Sequence, residues 1–181
     1  TNDVSAINTA NVRAMSTAAI GALTTDQVQA MPSTQIAALG SSQFGALTSD
    51  QVAALQSVDL AAVNSAQIGA LNTSQAAAIE TTDISQISTT ALRAFTTAAI
   101  NAMDTAQVNA LTSTQVAALS SSQTSAMTSA QVAALESTDL AALNSAQVAG
   151  FNTSQAAAIE TTDISALSTT NVRALTTAAI N

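Results

Sequence analysis

The sequence predicts an all-α solenoid of very short helices, one in each eight-residue repeat. A large apolar residue stands at every eighth position from Ile7 to Leu175, and Ser or Thr opens every unit from Thr1 to Thr177. No insertion or deletion interrupts the pattern. Because eight residues cannot bury a core alone, each unit must stack on its neighbours. We therefore expect one continuous solenoid over residues 1–181.

The order of residues within the octad favours helix over strand. Its consensus is [S/T]-x-[Q/D/N/A]-[V/I/L]-x-A-[L/I/M]-[T/S/N], as in residues 49–56, SDQVAALQ. Ser or Thr at the first position is expected to cap the helix, and the Gln-Val-Ala-Ala-Leu stretch has high helix propensity. One continuous helix would turn the apolar column about 80° per octad. A β-solenoid is the alternative, but Ala and Gln are poor strand formers.

Two columns of the octad are predicted to form a narrow core. In a short helix, the fourth and seventh positions point to the same side, and the small Ala at the sixth position would let the next coil approach closely. The coil is expected to hold two octads, because the longer period described below is divisible by 16 and not by 24. The representative core residues are Val52, Leu55, Leu60, Leu111, Val116, Leu119, Val132 and Leu135.

A longer, 80-residue period overlies the octad. Residues 74–101 and 154–181 are identical at 23 of 28 positions. The blocks are 1–80, 81–160 and a partial 161–181. Since the chain begins and ends within the pattern, we expect it to be part of a longer array.

Composition excludes several classes of function. Three arginines against eleven acids give a net charge of −8 and a pI near 4.1, which disfavours nucleic acid and anionic membranes as partners. The apolar runs are too short to cross a membrane. The sequence contains no His or Cys and no Tyr or Trp. Few groups remain for catalysis, so we expect no enzymatic activity, no bound metal and no cofactor.

The charged residues offer two kinds of candidate site. Arg13, Arg93 and Arg173 occupy one place in the 80-residue block, at the variable fifth position. We interpret them as candidates for contacts between copies, together with Asp83 and Asp163. The alternative is that each arginine is solvated at the surface or forms a pair within the chain. Acidic pairs three residues apart are interpreted as partners of helix N-termini rather than as acid/base or calcium sites. These pairs are Glu80/Asp83, Glu136/Asp139 and Glu160/Asp163.

Hydroxyl and amide residues raise three further hypotheses. The Ser/Thr columns, with the pairs Thr24-Thr25, Thr96-Thr97 and Thr176-Thr177, could order water on an ice-binding face, although Ser and Thr alternate freely. Asn72 and Asn152 begin N-glycosylation sequons, which the repeat also produces by chance. Thr124 interrupts an aliphatic column and is interpreted as a tolerated defect.

The units at residues 47–54 (LTSDQVAA), 111–118 (LTSTQVAA) and 127–134 (MTSAQVAA) resemble the "ALTTAQ/LTTDQ" octads of very long bacterial repeat proteins. Such proteins are often described as surface, adhesin-like or haem-utilisation proteins. The resemblance implies a secreted or cell-surface protein with a structural or adhesive role. A haem function finds no support, because His, Cys and Tyr are missing.

The sequence therefore predicts an extracellular structural protein. We expect a bacterial filament, sheath, surface layer or adhesin stalk that self-associates, with copies of the same chain as partners. The alternative is a solenoid that binds ice or carbohydrate, such as surface glycans, through its hydroxyl columns.

Overall fold

The computed structural model describes residues 2–175, and within this range the regular secondary structure consists of 22 short α-helices, with no strand. The prediction of an all-α solenoid with one helix per octad is confirmed. The helices are α1 Asn2–Ser5, α2 Thr9–Ala14, α3 Thr17–Gly21, α4 Thr25–Gln29, α5 Ser33–Ala38, α6 Ser41–Phe44, α7 Ser49–Ala53, α8 Ser57–Ala62, α9 Ser65–Ile68, α10 Thr73–Ala77, α11 Thr81–Ile84, α12 Thr89–Leu92, α13 Thr97–Ala102, α14 Thr105–Asn109, α15 Ser113–Ala118, α16 Ser121–Ala126, α17 Ser129–Ala133, α18 Ser137–Ala142, α19 Ser145–Ala149, α20 Thr153–Ala157, α21 Thr161–Ile164 and α22 Thr169–Ala174.

From α2 onward, each helix begins one residue earlier in the octad than the sequence suggested. The N-cap is the eighth position, and the Ser or Thr of the first position is already helical. In α4, for example, the Thr24 hydroxyl accepts a hydrogen bond from the backbone N–H of Gln27 at 3.1 Å. Assigning the cap to the first position was therefore wrong, because the eighth position also admits capping residues such as Thr, Ser, Asn and Asp. Pro32, at the eighth position of its octad, is also an N-cap.

Three octads make one coil. Every helix pair in strong contact is three helices apart, as in α2 with α5, α5 with α8 and α8 with α11. Since α2 begins at Thr9 and α5 at Ser33, successive coils are offset by three octads. The expectation of two octads per coil was wrong. Sharp helix reversals commonly use a left-handed residue, but no described residue has a positive φ. The helices are instead joined by residues in extended conformation, which bend the chain less than a left-handed residue would. Three such bends, one after each helix, complete the coil.

The fourth and seventh positions form the continuous core. All eight representative core residues predicted above are buried, each at most 5% exposed. The fourth position is covered by the following coil, because Val12 in the first coil is buried whereas Val172 in the last is 41% exposed. The seventh position packs on the preceding coil, since Ile7 in the first coil is only partly buried. Each coil therefore packs its fourth-position residues against the following coil and its seventh-position residues against the preceding coil.

The described part of the chain, residues 2–175, contains no helix long and apolar enough to cross a membrane.

Candidate functional site: buried glutamines and exposed arginines

A column of buried glutamines at the third position of the octad joins each coil to the one before it. We call this column the glutamine ladder. Each member donates from Nε2 to backbone carbonyls 28 to 31 residues earlier, which belong to the preceding coil. Its members are Gln35, Gln43, Gln51, Gln67, Gln75, Gln107, Gln115, Gln123, Gln131, Gln147 and Gln155.

Gln67 shows the geometry of one rung. Its Oε1 accepts the backbone N–H of Asn64, the N-cap of its own helix, at 2.9 Å. Its Nε2 donates to the carbonyls of Ile36 at 2.8 Å and Leu39 at 3.0 Å, at the end of α5. One fully buried amide thereby satisfies orphan groups at a helix start and at a helix end. Only a side chain with both a donor and an acceptor on one amide can do this.

The ladder was not predicted from the sequence, because the glutamine at this position was considered for its helix propensity and not as a hydrogen-bonding group between coils. The available signal was the composition of the column. Apart from glutamine, the third position holds only Asp, Asn or Ala, and never Lys, Arg or Glu, although an exposed position would tolerate them.

From α5 onward, four octads have aspartate instead of glutamine at the third position. Asp59, Asp83 and Asp139 are buried, and Asp163 is partly buried. Asp139 accepts the hydroxyl of Ser113 at 2.7 Å, and Asp83 and Asp163 accept equivalent hydroxyls. These carboxylates act as acceptors where glutamine would donate. They lie in the first turns of their helices, in line with their interpretation as partners of helix N-termini.

Burial raises the pKa of Asp59 above its ordinary value of 3.8. The hydrogen bond from the Gln56 backbone N–H opposes this change, and the negative charge of Asp83, one coil further on, adds to it. Asp59 is thus an acceptor held in an environment that disfavours its charge.

The three arginines are exposed and lie on three different sides of the coil. Arg13 belongs to α2, Arg93 follows α12, and Arg173 belongs to α22. Helices that stack on the same side of the solenoid have numbers that differ by a multiple of three. The numbers of α2, α12 and α22 do not, so these helices lie on three different sides. Arg13 also donates from Nε to the carbonyl of Ala38 in the next coil at 3.2 Å.

Two residues grouped with the arginines as assembly candidates have partners inside the chain. Asp83 accepts the Ser57 hydroxyl, and Asp163 accepts the Ser137 hydroxyl. This placement gives both carboxylates a role between coils. Any contact with another copy would fall to the arginines, and that contact stays a prediction.

The Ser/Thr columns also serve neighbouring coils. Besides the hydroxyls bound to aspartates, Ser65 donates to the carbonyl of Thr90 at 3.1 Å. Residues stacked in successive coils mix both types, as in Thr25, Ser49 and Thr73. Thr1 and the pair Thr176-Thr177 lie outside the described residues. A structural role accounts for the bonded hydroxyls, and recognition of ice or carbohydrate stays a prediction.

The remaining polar candidates have local partners. Thr124 is buried, and its hydroxyl donates to the carbonyl of Ser121 at 3.0 Å. Asn72 and Asn152 are N-caps whose side chains accept the backbone N–H three residues later at 3.0 Å. Among residues 2–175, no group of three or more acidic, His or Cys side chains is placed to hold a metal ion.

A helical solenoid with an eight-residue unit, closed by three units per coil, is a repeat protein. The sequence model of the ALTTAQ repeat matches seven overlapping stretches that together span the chain: residues 1–33, 29–57, 52–89, 76–113, 109–137, 132–159 and 156–181. The chain therefore belongs to the ALTTAQ repeat family. A comparison with curated proteins finds no match.

Proposed function

We propose that this chain is part of a non-catalytic structural protein that assembles with copies of itself into an extracellular bacterial filament, sheath, surface layer or stalk. The observation that carries this proposal is the glutamine ladder, whose rungs occur from Gln35 to Gln155. It provides repeated polar links between coils along the array, in addition to the apolar core. Such a design suits an element that must keep its form over many repeats.

The exposed arginines support lateral contacts in more than one direction. One 80-residue block contains ten octads, which make three coils of three octads and leave one octad over. A given residue of the block therefore lies on the next side of the solenoid in each successive block. The same side recurs only after three blocks. Contacts made through Arg13, Arg93 and Arg173 would therefore recruit neighbours on three sides. This geometry favours a bundle over a flat ribbon.

Ion pairs between arginines and carboxylates of different copies would be weak one by one, and few sites can form them. The arginines are the only cationic side chains against eleven acids. An exposed pair contributes about 0.2–1 kcal/mol, so assembly must sum many weak contacts and should weaken with salt. The extracellular bacterial location is supported by the resemblance of the octads to those of surface proteins.

Sedimentation velocity of the purified chain at low and high salt tests the proposal. We expect concentration-dependent assemblies at low salt that dissociate at high salt. The triple variant R13Q/R93Q/R173Q should remain monomeric over the same range. The triple variant R13K/R93K/R173K keeps the charges and should still assemble, while Gln29→Ala controls for a neutral change at an exposed fifth position.

A wild-type chain that stays monomeric at all concentrations and salts would refute self-association. Assembly that is unaffected by the glutamine substitutions would refute the role of the arginines. Protease treatment of intact cells that produce the native protein tests the location, since an extracellular array should be digested.

A further inference from the structure

The glutamine ladder has a gap at one coil boundary. The third positions of α11, α12 and α13 are Asp83, Ala91 and Ala99. Alanine has no side-chain donor, and an ionised carboxylate only accepts. These three consecutive helices form one whole coil. No helix of this coil therefore donates a ladder bond to α8–α10, whereas α14, α15 and α16 of the next coil each donate one, from Gln107, Gln115 and Gln123. The rung from Gln107 reaches past α11–α13 to the carbonyls of Ala76 and Ile79 at the end of α10, and it is the one ladder contact in the described part of the chain that crosses this boundary.

Apolar packing and a few hydroxyl bonds hold this boundary. Ala91 and Ala99 are fully buried, so the alanines leave no open surface. The Ser57 hydroxyl donates to Asp83, and the Ser65 hydroxyl donates to the carbonyl of Thr90. What is missing is the set of buried amide bonds that reaches two or three carbonyls from each rung elsewhere, as from Gln131.

The gap recurs with the 80-residue period. Asp163 and Asn171 occupy the equivalent third positions of the next block. The shorter Asn171 side chain donates to one carbonyl of the preceding coil, that of Leu143, at 2.7 Å. The third member of that coil, Ala179, lies outside the described residues. Each block thus carries one coil without glutamine at its third positions, within the segment that matches best between blocks.

We propose that the attachment of α11–α13 to α8–α10 is a weak joint, repeated once per 80-residue block, and that the helices α11–α13 open before those of the other internal coils. In a stacked array, stability is approximately the sum of unit terms and nearest-neighbour terms. The apolar columns continue through this coil, and α10 and α13 are in close contact. The absence of ladder bonds from α11–α13 is therefore what distinguishes this coil, and we expect its helices to open first. The joint follows from the chain's own bonds and does not depend on self-association.

Hydrogen exchange of the intact chain tests the joint directly. The amides of Leu92 and Ile100, inside α12 and α13, should exchange at least about tenfold faster than those of Val116 and Val132, inside α15 and α17. All four amides donate to the N-cap carbonyl of their own helix, and all four lie away from both ends of the chain. The comparison is therefore matched in local structure.

A second variant extends the joint, because it also removes the rung from Gln107 to α10. Replacing Gln107, Gln115 and Gln123 together by alanine removes one further set of rungs, and the amides of Val108 and Val116 should then exchange at least as fast as that of Leu92. Equal protection of Leu92, Ile100, Val116 and Val132 in the wild-type chain would overturn the proposal. Since that comparison needs no substitution, it decides the question even if the triple variant does not fold.

Discussion

Pro32 leaves the buried Oε1 atom of Gln35 without a hydrogen-bond partner among the described residues. In other rungs, this atom accepts the N–H of the N-cap residue, as Gln67 does from Asn64 at 2.9 Å. Pro32 is the N-cap of α5 and has no N–H to offer. The donor side of Gln35 is intact, since Nε2 bonds the carbonyl of Val4 in the preceding coil at 3.1 Å. Half of this rung is therefore missing.

Replacing Pro32 by Asn should stabilise the chain. The new N–H would satisfy Gln35 Oε1, and the Asn side chain would cap the helix as Asn72 does for Gln75. These gains exceed the loss of proline rigidity in the unfolded chain, so the free energy of unfolding should rise by about 1 kcal/mol. Urea denaturation followed by circular dichroism measures the change. Pro32→Ala, which restores only the N–H, should give a smaller effect, and a destabilised Asn variant would contradict the interpretation.

Removing one complete rung should be costly. Gln67→Ala deletes the bond from Asn64 and both bonds to the carbonyls of Ile36 and Leu39, which leaves buried polar groups without partners. We expect a loss of about 3 kcal/mol in the free energy of unfolding, measured by urea denaturation.

Gln27 provides the matched control for that substitution. It accepts the N–H of Thr24 at 2.8 Å. It lies within 28 residues of the start of the sequence, so no described carbonyl stands where a rung would be accepted. Gln27→Ala should therefore cost less than about 1 kcal/mol. Equal losses for the two variants would show that the bonds between coils contribute little.

The apolar periodicity was sufficient to predict the helices and the core. Val52 and Leu55 lie three positions apart in an octad that is otherwise small or polar, and a short helix places both on one side. This local rule holds in every unit because each unit is alike. The predicted columns needed no knowledge of how the coils stack.

The number of octads per coil and the ladder could not be predicted in the same way. Three octads close a coil because of the bend at each corner, which depends on backbone angles at residues such as Leu39 and Gly40 rather than on a side-chain pattern. Without that number, Gln67 could not be placed beside Leu39 of the preceding coil. The 80-residue period predicts two octads per coil incorrectly, because it is a sequence repeat that does not contain a whole number of coils.

Gly45 allows two coils to approach closely, and a side chain there should be destabilising. A Cβ atom at Gly45 would lie 2.8 Å from the carbonyl oxygen of Ala70 and 3.2 Å from its Cβ. Backbone atoms cannot move aside as a flexible side chain can. Gly45→Ala should therefore lower the free energy of unfolding by about 1–3 kcal/mol, measured by chemical denaturation.

Gly40 is the control for the substitution of Gly45, because a Cβ there would meet only Oε1 of Gln43 at an ordinary 3.6 Å. Its φ of −68° also suits any residue. Gly40→Ala should change stability by no more than about 0.5 kcal/mol. If both alanine variants were neutral, the close approach at Ala70 would be of no consequence.

Asp59 should make stability depend on pH in a defined direction. Because burial raises its pKa in the folded chain above 3.8, the folded state binds this proton more tightly than the unfolded state does. The contribution of Asp59 is therefore most favourable below the unfolded pKa and becomes less favourable as the pH rises through the folded pKa. Asp59→Asn, which keeps an acceptor for the Gln56 N–H without the charge, should stabilise the chain at pH 7. That gain should shrink as the pH falls to about 4 and below.

The exposed Asp50 is the control for this pH dependence. It stands in the first turn of α7, where its charge favours the helix, so Asp50→Asn should be neutral or slightly destabilising at pH 7. The measurement is the free energy of unfolding of the wild type and both variants between pH 4 and pH 7, at constant ionic strength. A gain from Asp59→Asn that does not change with pH would show that removal of a buried charge is not its cause.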